Sequence, residues 1–175
     1  MQSGQPAGNT GDVQPPAVGN EPQPKSKKED PAAKVAEVLI KAASYAHQLQ
    51  TQAHLIHFNY EGENFLAVHK FLKKEYERYQ DEFDKLGEFV RSLDYMMPMC
   101  QKGLLGAHKK FKHVESYNGR SELMTYMRNL ETYGFEAKAG VTIARKCDAP
   151  DVENYMAEVV GDAFKSAWMC KAMLR

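Results

Sequence analysis

Several features of membrane, secreted and strongly nucleic-acid-binding proteins are missing from this 175-residue chain. No apolar run approaches the ~18 residues needed to span a bilayer, and the N-terminus lacks the basic and apolar regions of a secretory signal. Basic and acidic residues both number 23, so the whole-chain charge favours neither DNA nor an anionic membrane as partner. We therefore expect a cytoplasmic protein without a membrane partner, in which any nucleic-acid binding comes from a local patch.

Cysteine is scarce as well. Cys100, Cys147 and Cys170 are odd in number and scattered, which indicates reduced thiols rather than a disulfide framework. The sequence contains no Cys-x-x-Cys pair and no Glu-x-x-His pair, the spacing with which helical bundles hold two metals inside one subunit. A dinuclear centre within a single bundle is therefore not expected.

The first thirty residues differ in composition from the remainder. They hold five of the eight prolines and four of the twelve glycines, and they contain no aromatic residue. Such a segment buries too little apolar surface to offset the entropy of ordering, so residues 1–30 are predicted to be a disordered Pro/Gly/Gln-rich tail. Asp30 followed by Pro31 suits the cap and first turn of a helix, and we predict one folded domain over residues 31–175.

Four long segments of that domain repeat apolar residues every three or four positions, the spacing of amphipathic helices. The segments run from Val35 to Ile56, from Phe65 to Val90, from Leu123 to Ala144 and from Val152 to Met173. In the second segment the apolar stripe is assigned to Phe65, Val68, Leu72, Tyr76, Tyr79, Phe83, Leu86 and Val90. No alternating pattern suggests a strand, so the fold class is predicted to be all-α.

The pattern weakens between residues 94 and 118, where Pro98, Gly103 and Gly106 interrupt it. This stretch is long enough for one short extra helix in a crossover between the second and third long helices. Asp148 and Pro150 suggest a cap and starting turn for the fourth long helix. Two long helices, one long crossover and two more long helices are typical of a ferritin-like four-helix bundle.

Histidines and carboxylates that could hold a metal are concentrated in the first two helices. His47, His54 and His57 follow one another at offsets of seven and three, and His69 opens the second helix. Further along that helix, spacings of four, three and four residues place four carboxylates in one stripe, namely Glu77, Asp81, Asp84 and Glu88. Imidazole and carboxylate together are suitable iron ligands. We treat His47 and His54 as ordinary helix residues.

The segment from Gln52 to Glu88 resembles the central signature of the Dps family, the DNA-binding proteins from starved cells, which are miniferritins of the ferritin superfamily. The matching residues are His57-Phe58-Asn59, Gly62, Phe65 and His69, followed without a gap by Asp84 and Glu88. Trp168 also resembles the family's tryptophan near the C-terminus. The signature covers about a fifth of the chain, and the predicted helix lengths agree over the remainder.

The resemblance implies a hollow dodecamer with iron sites between two-fold-related subunits. One subunit would supply His57 and His69, and the other Asp84 and Glu88. The implied activity is ferroxidase: oxidation of Fe(II) by peroxide or oxygen and storage of the ferric product, which links the protein to oxidative stress. One residue departs from the pattern, because Lys73 stands where the family usually has an aspartate ligand.

Lys73 leaves two alternatives open, since an ammonium cannot ligate iron. In the first, the Lys73 side chain points to water and Asp81 or Glu77 takes the place of the missing aspartate ligand. In the second, the metal centre is degenerate and the chain is an inactive shell or a DNA-protecting structural protein. A third hypothesis is a helical interaction module without a shell.

Lys25, Lys27 and Lys28 in the tail could bind DNA through many copies in a shell, with nucleoid association as the result. A second basic cluster, His108 to His113, is interpreted as a solvated surface.

Overall fold

A computed structural model describes residues 30–175, and these residues form five α-helices without a strand. The helices are α1 (Pro31–Asn59), α2 (Phe65–Ser92), α3 (Gln101–Ala107), α4 (Gly119–Lys146) and α5 (Pro150–Met173). The predicted all-α bundle with a short extra helix in the crossover is therefore confirmed. The predicted tail, with Lys25, Lys27 and Lys28, lies outside the described residues.

Short links make antiparallel hairpins of α1 with α2 and of α4 with α5. The two hairpins pack through α1 against α4 and through α2 against α5, and α3 lies against α1. Gly119 begins α4 directly against the link between α1 and α2, since a Cβ at this position would lie 2.6 Å from the carbonyl oxygen of Glu61. The start of α4 is thus packed against the link in the middle of the candidate signature.

Two predicted helix starts have different outcomes. Asp30 caps α1 as predicted, because its side chain accepts a hydrogen bond of 3.0 Å from the Ala32 amide. The prediction for Asp148 is wrong: it adopts a left-handed φ of 57° after α4, and the cap position of α5 is Ala149, without a side-chain bond. Aspartate tolerates the left-handed region, which the chain needs in order to reverse within so short a link.

The crossover is held to the bundle by buried amides. The Asn129 Nδ2 atom donates to the Lys112 carbonyl at 2.7 Å, and its Oδ1 atom accepts from the Lys112 amide at 3.3 Å. Gln48 donates to the His108 carbonyl at 3.2 Å, and Gln52 accepts from the Val114 amide at 3.0 Å. These bonds pair backbone groups of an irregular segment that has no helical partners of its own.

The core corrects part of the stripe assigned to the second helix. The buried residues of α2 are Val68, Phe71, Leu72, Glu75, Tyr79, Glu82, Leu86 and Val90. Two glutamates therefore occupy buried positions, whereas Tyr76 and Phe83 are only partly buried and Phe65 is exposed.

All three cysteines are free thiols, as predicted. None of the helices within residues 30–175 has the length and apolar character needed to cross a bilayer.

Candidate metal centre

His57 and His69 are brought together where α1 ends and α2 begins. Their rings stack with centroids 3.7 Å apart and planes inclined by 20°. The Nδ1 atom of His57 lies 2.9 Å from the backbone oxygen of His69, and the Nδ1 atom of His69 lies 3.0 Å from the backbone oxygen of His57. The two residues that the signature pairs are thus neighbours in space, each holding the other's ring in place.

This reciprocal bonding determines which ring nitrogens can bind a metal. A carbonyl oxygen can only accept a hydrogen bond, so each Nδ1 must carry the proton. In a neutral imidazole, Nε2 then keeps its lone pair, as a metal ligand requires. The His57 carbonyl lies in the last turn of α1, where helical carbonyls lack partners, so His69 also completes the end of that helix. Such supporting bonds orient the rings before a metal arrives.

Aromatic and apolar side chains surround the histidine pair. Phe65 and His69 have ring centroids 5.1 Å apart, and Tyr76 lies edge-on to His57 at 5.4 Å. His57 itself is only 8% exposed, but the surrounding apolar residues are open to solvent, namely Leu55, Phe58, Phe65 and Leu66. An apolar rim around two oriented imidazoles is unusual for a solvated surface and typical of a protein interface.

The predicted carboxylate ligands lie far from these histidines within one chain. Asp84 comes fifteen residues after His69 on the same helix, which separates them by roughly 22 Å along the helix axis. Correspondingly, residues 30–175 of a single chain contain no group of three or more His, Cys, Asp or Glu side chains that could hold a metal. A site using both sets of ligands therefore requires two chains.

Asp84 and Glu88 nevertheless share one face of α2, being four residues apart. Both are exposed and line a shallow groove with Arg91 and Met97. The Arg91 guanidinium is already engaged, because it donates to the Tyr95 carbonyl at 2.7 Å. The two carboxylates thus remain open at the surface. Asp81 is likewise exposed.

Lys73 points along α2 toward Glu77 and forms an ion pair with it at 2.6 Å. Both side chains are about half exposed. The pKa of Lys73 is raised, chiefly by its hydrogen bond to Glu77, so the ammonium is charged and engaged. Of the two substitutes suggested for the missing aspartate, Glu77 is thus paired with the lysine itself, whereas Asp81 forms no ion pair within residues 30–175.

A buried polar network, which the sequence analysis missed, crosses the bundle between α2 and α5. Arg78 donates to Glu75 at 3.0 Å and to Ser166 at 3.1 Å, and Ser166 donates to Glu75 at 2.9 Å. One turn further, Tyr133 donates to the buried Glu82. The sequence contains a signal for this network, because Glu75 and Glu82 lie seven residues apart, at the three- and four-residue spacing of the buried apolar residues of α2.

Burial dominates the protonation of this network. It raises the pKa of Glu75 even though Arg78 opposes the shift, and it raises the pKa of Glu82 to about 7. A guanidinium between carboxylates supplies the positive charge that buried acids require. The Arg78 guanidinium therefore offsets part of the cost of burying these acids.

The remaining basic and histidine candidates have structural surroundings. His108, predicted to be solvated, is only 7% exposed and its Nε2 atom contacts Glu136 at 2.8 Å. That prediction is wrong for His108, although Lys109 and Lys110 are exposed. His54 stacks on Tyr76 at 4.0 Å. This aromatic packing agrees with the ordinary helical role assigned to His54.

Comparison with known proteins gives the class of this bundle. A family model described as a ferritin-like domain matches residues 36–175. Because the match covers most of the chain, the protein belongs to the ferritin-like family. A comparison with curated protein sequences found no match.

Solved structures narrow the fold to that of the Dps proteins. A Dps protein from Bacillus brevis superposes with a TM-score of 0.79 at 19% identity, covering 85% of this chain and 99% of that one. The DPS protein from Vibrio cholerae O1, described as a member of a superfamily of ferritin-like diiron-carboxylate proteins, gives 0.76 at 20% identity, with 83% and 91% covered. CAIP from Helicobacter cinaedi gives 0.74 at 24% identity, with 81% and 99% covered. The expected Dps resemblance is confirmed at the level of the fold.

Proposed function

We propose that this chain is a Dps-type iron-storage and detoxification protein that oxidises Fe(II) at sites shared between subunits of a hollow dodecamer. Each site takes His57 and His69 from one subunit and Asp84 and Glu88 from a two-fold-related subunit. Asp81 is a further candidate ligand beside the carboxylates. Iron is the substrate, and the ferric product is stored inside the shell.

The observation that carries this proposal is the reciprocal hydrogen bonding of the two histidines. It orients both rings with Nδ1 engaged, so that Nε2 is the nitrogen left for a metal, beside residues whose apolar side chains are exposed. The orientation is preset by folding, so binding of iron costs little side-chain entropy.

A second copy of the chain is the natural source of the missing ligands. Ligands of a first-row metal lie about 2 Å from it, whereas His69 and Asp84 are separated by roughly 22 Å along α2. In a two-fold arrangement each chain contributes its histidine end to one site and its carboxylates to the other. The exposed Leu55, Phe58 and Leu66 would be buried in the same contact.

The donor set suits the redox chemistry. Imidazoles favour ferrous iron and carboxylates favour the harder ferric ion, so mixed ligation permits loading before oxidation and release after it. Each Fe(II) loses one electron to the oxidant, peroxide or dioxygen. The protein's residues bind and orient the iron, which carries the electron transfer itself.

The second candidate function is a shell whose metal centre is degenerate because of Lys73. The ion pair with Glu77 favours the active alternative, because it compensates the lysine charge along the helix and directs the ammonium away from the histidines. The lysine still supplies no ligand, so the centre would hold fewer protein donors than an aspartate-containing one. DNA binding by Lys25, Lys27 and Lys28 remains part of the proposal and predicts steep salt dependence.

Co-assembly of two single variants tests the shared site directly. Neither His57→Ala nor Asp84→Ala alone should oxidise Fe(II) above the iron-only blank. When they are mixed equally before assembly, half of the two-fold pairs contain one of each, and each mixed pair regains one intact site of two. The mixed shells should therefore recover about a quarter of wild-type oxidation.

Three outcomes would contradict the proposal or redirect it. No recovery in the mixture would exclude a site shared between chains, provided that the surface control His113→Ala/Glu115→Ala keeps full activity. A monomer or dimer on a sizing column would exclude the shell. An inactive wild type that gains oxidation as Lys73→Asp would establish the degenerate-centre alternative instead.

A further inference from the structure

A cleft separate from the candidate metal centre lies between α1, the segment that follows α3, and α4. Its volume is about 470 Å³, within the range of clefts that hold small molecules. None of the histidines or carboxylates of the candidate metal centre lines it. The cleft therefore calls for an explanation of its own.

Apolar and small residues form the floor of the cleft. Val38 and Ile143 are partly exposed and contribute apolar surface, and the buried Ala137 and Met156 lie beneath them. Gly140 lies in this floor, and a Cβ there would come within 2.9 Å of Val38 Cγ1 and 2.8 Å of Met156 Cε. Because there is no room for a larger residue, the floor of the cleft carries no side chain at position 140. A concave apolar surface of this kind is suited to the hydrocarbon part of a ligand.

Gly106 leaves the wall of the cleft open. A Cβ at this position would meet no heavy atom within 4 Å, so any larger side chain would project into free space beside the cleft. The glycine is not required by its backbone, since it lies in α3 without a positive φ. The absent side chain therefore affects the space in the cleft rather than the path of the chain.

Charge is distributed unevenly around the cleft. Glu136 is engaged by His108 at 2.8 Å, and Lys41 is engaged by Glu37. Lys109 and Lys110 are exposed, and no hydrogen bond or ion pair from either to another residue in the range 30–175 is present. The lining of the cleft thus includes two lysines with no acidic partner within residues 30–175, beside the paired Lys41 and Glu136.

We propose that this cleft binds an anionic amphiphile, with an alkyl body on the apolar floor and a carboxylate at Lys109 and Lys110. Apolar area supplies the affinity, and the two ammonium groups select the sign of the headgroup. Binding is independent of iron, because the cleft shares no residue with the proposed ligands. The site gives the shell a second kind of cargo or effector, of the fatty-acid class.

Titration calorimetry of the assembled full-length protein with decanoate, below its micellar concentration, tests the proposal. Each buried methylene should tighten binding about fourfold, so decanoate should bind roughly fifteenfold more tightly than octanoate. Decylamine, which carries the same chain with a positive headgroup, should bind at least tenfold more weakly than decanoate. Equal binding of the two headgroups, or no binding of decanoate at millimolar concentration, would overturn the proposal.

Two glycine variants locate the binding site. Gly106→Phe should fill the cleft and reduce decanoate affinity at least tenfold. The matched control is Gly161→Phe, because Gly161 is also helical with nothing near its missing Cβ, but lies on α5 away from the cleft. Equal losses in both variants, or none in Gly106→Phe, would place any binding elsewhere.

A second variant avoids dependence on the folding of Gly106→Phe. Lys109→Gln/Lys110→Gln changes only exposed residues and should abolish the preference for decanoate over decylamine while retaining the gain per methylene. A preference that survives this double change would refute the assigned headgroup position.

Discussion

Replacing Glu82 by glutamine tests the electrostatics of the bundle core. Glu82 is buried, accepts a hydrogen bond from Tyr133, and has its pKa raised by burial from the ordinary 4.5 to about 7. Glutamine has the shape of the protonated acid but cannot ionise. The variant therefore removes the titration of this group and little else.

The sign and size of the effect follow from the pKa. A raised carboxyl pKa means that the folded protein holds a proton that the unfolded chain has released, so stability falls as pH rises from about 4.5 through about 7. With about 1.4 kcal/mol for each pKa unit, this group costs roughly 2 to 3 kcal/mol of stability between pH 5 and pH 8. The advantage of Glu82→Gln over wild type should grow by that amount across the interval.

Urea unfolding at pH 5 and pH 8 measures this difference. Protein concentration must be equal in all samples, because any self-association would contribute to apparent stability. Glu158→Gln, which changes an exposed carboxylate on α5, is the control and should track the wild type at both pH values. If the advantage of Glu82→Gln stays constant or shrinks toward pH 8, the carboxyl is ionised in the folded protein and the reasoning fails.

Three further predictions concern the bundle. Gly119→Ala should lower the free energy of unfolding by about 1–3 kcal/mol, since its Cβ would press on a backbone oxygen, whereas Gly106→Ala should raise it by up to about 1 kcal/mol; urea unfolding compares them. A thiol reagent should label the exposed Cys100 rapidly and Cys170 only on unfolding, because burial raises the pKa of Cys170; peptide mapping reads the order, and early labelling of Cys170 would contradict its burial. Asn129→Ala should cost about 1–3 kcal/mol by stranding two backbone groups of the crossover, and an unchanged thermal midpoint would show that water replaces the amide.

The sequence was sufficient for the architecture because helix periodicity and caps act locally. The apolar stripe of the first helix and the cap at Asp30 are both found in the structure. The pairing of His57 with His69 was also predictable, since a short link between two helices brings their adjoining ends together. The reciprocal Nδ1 bonds were not, because they depend on ring orientations that packing determines.

Other features could not be predicted from hydrophobicity. Counting apolar residues assigned Tyr76 and Phe83 to the stripe, although Glu75 and Glu82 keep the seven-residue repeat and are the buried pair. A buried acid is stable only with a partner, and Arg78 is close in sequence while Ser166 is ninety-one residues from Glu75. The burial of His108 likewise depends on packing between distant segments.

Arg78 affects what the chain needs in order to fold. Its positive charge is part of the polypeptide, so the buried Glu75 has a cationic partner without any bound ion. Bundles that rely on a bound ion for this purpose fold only when the ion is supplied. The described bundle thus supplies this charge itself, and chelators should leave its melting temperature unchanged.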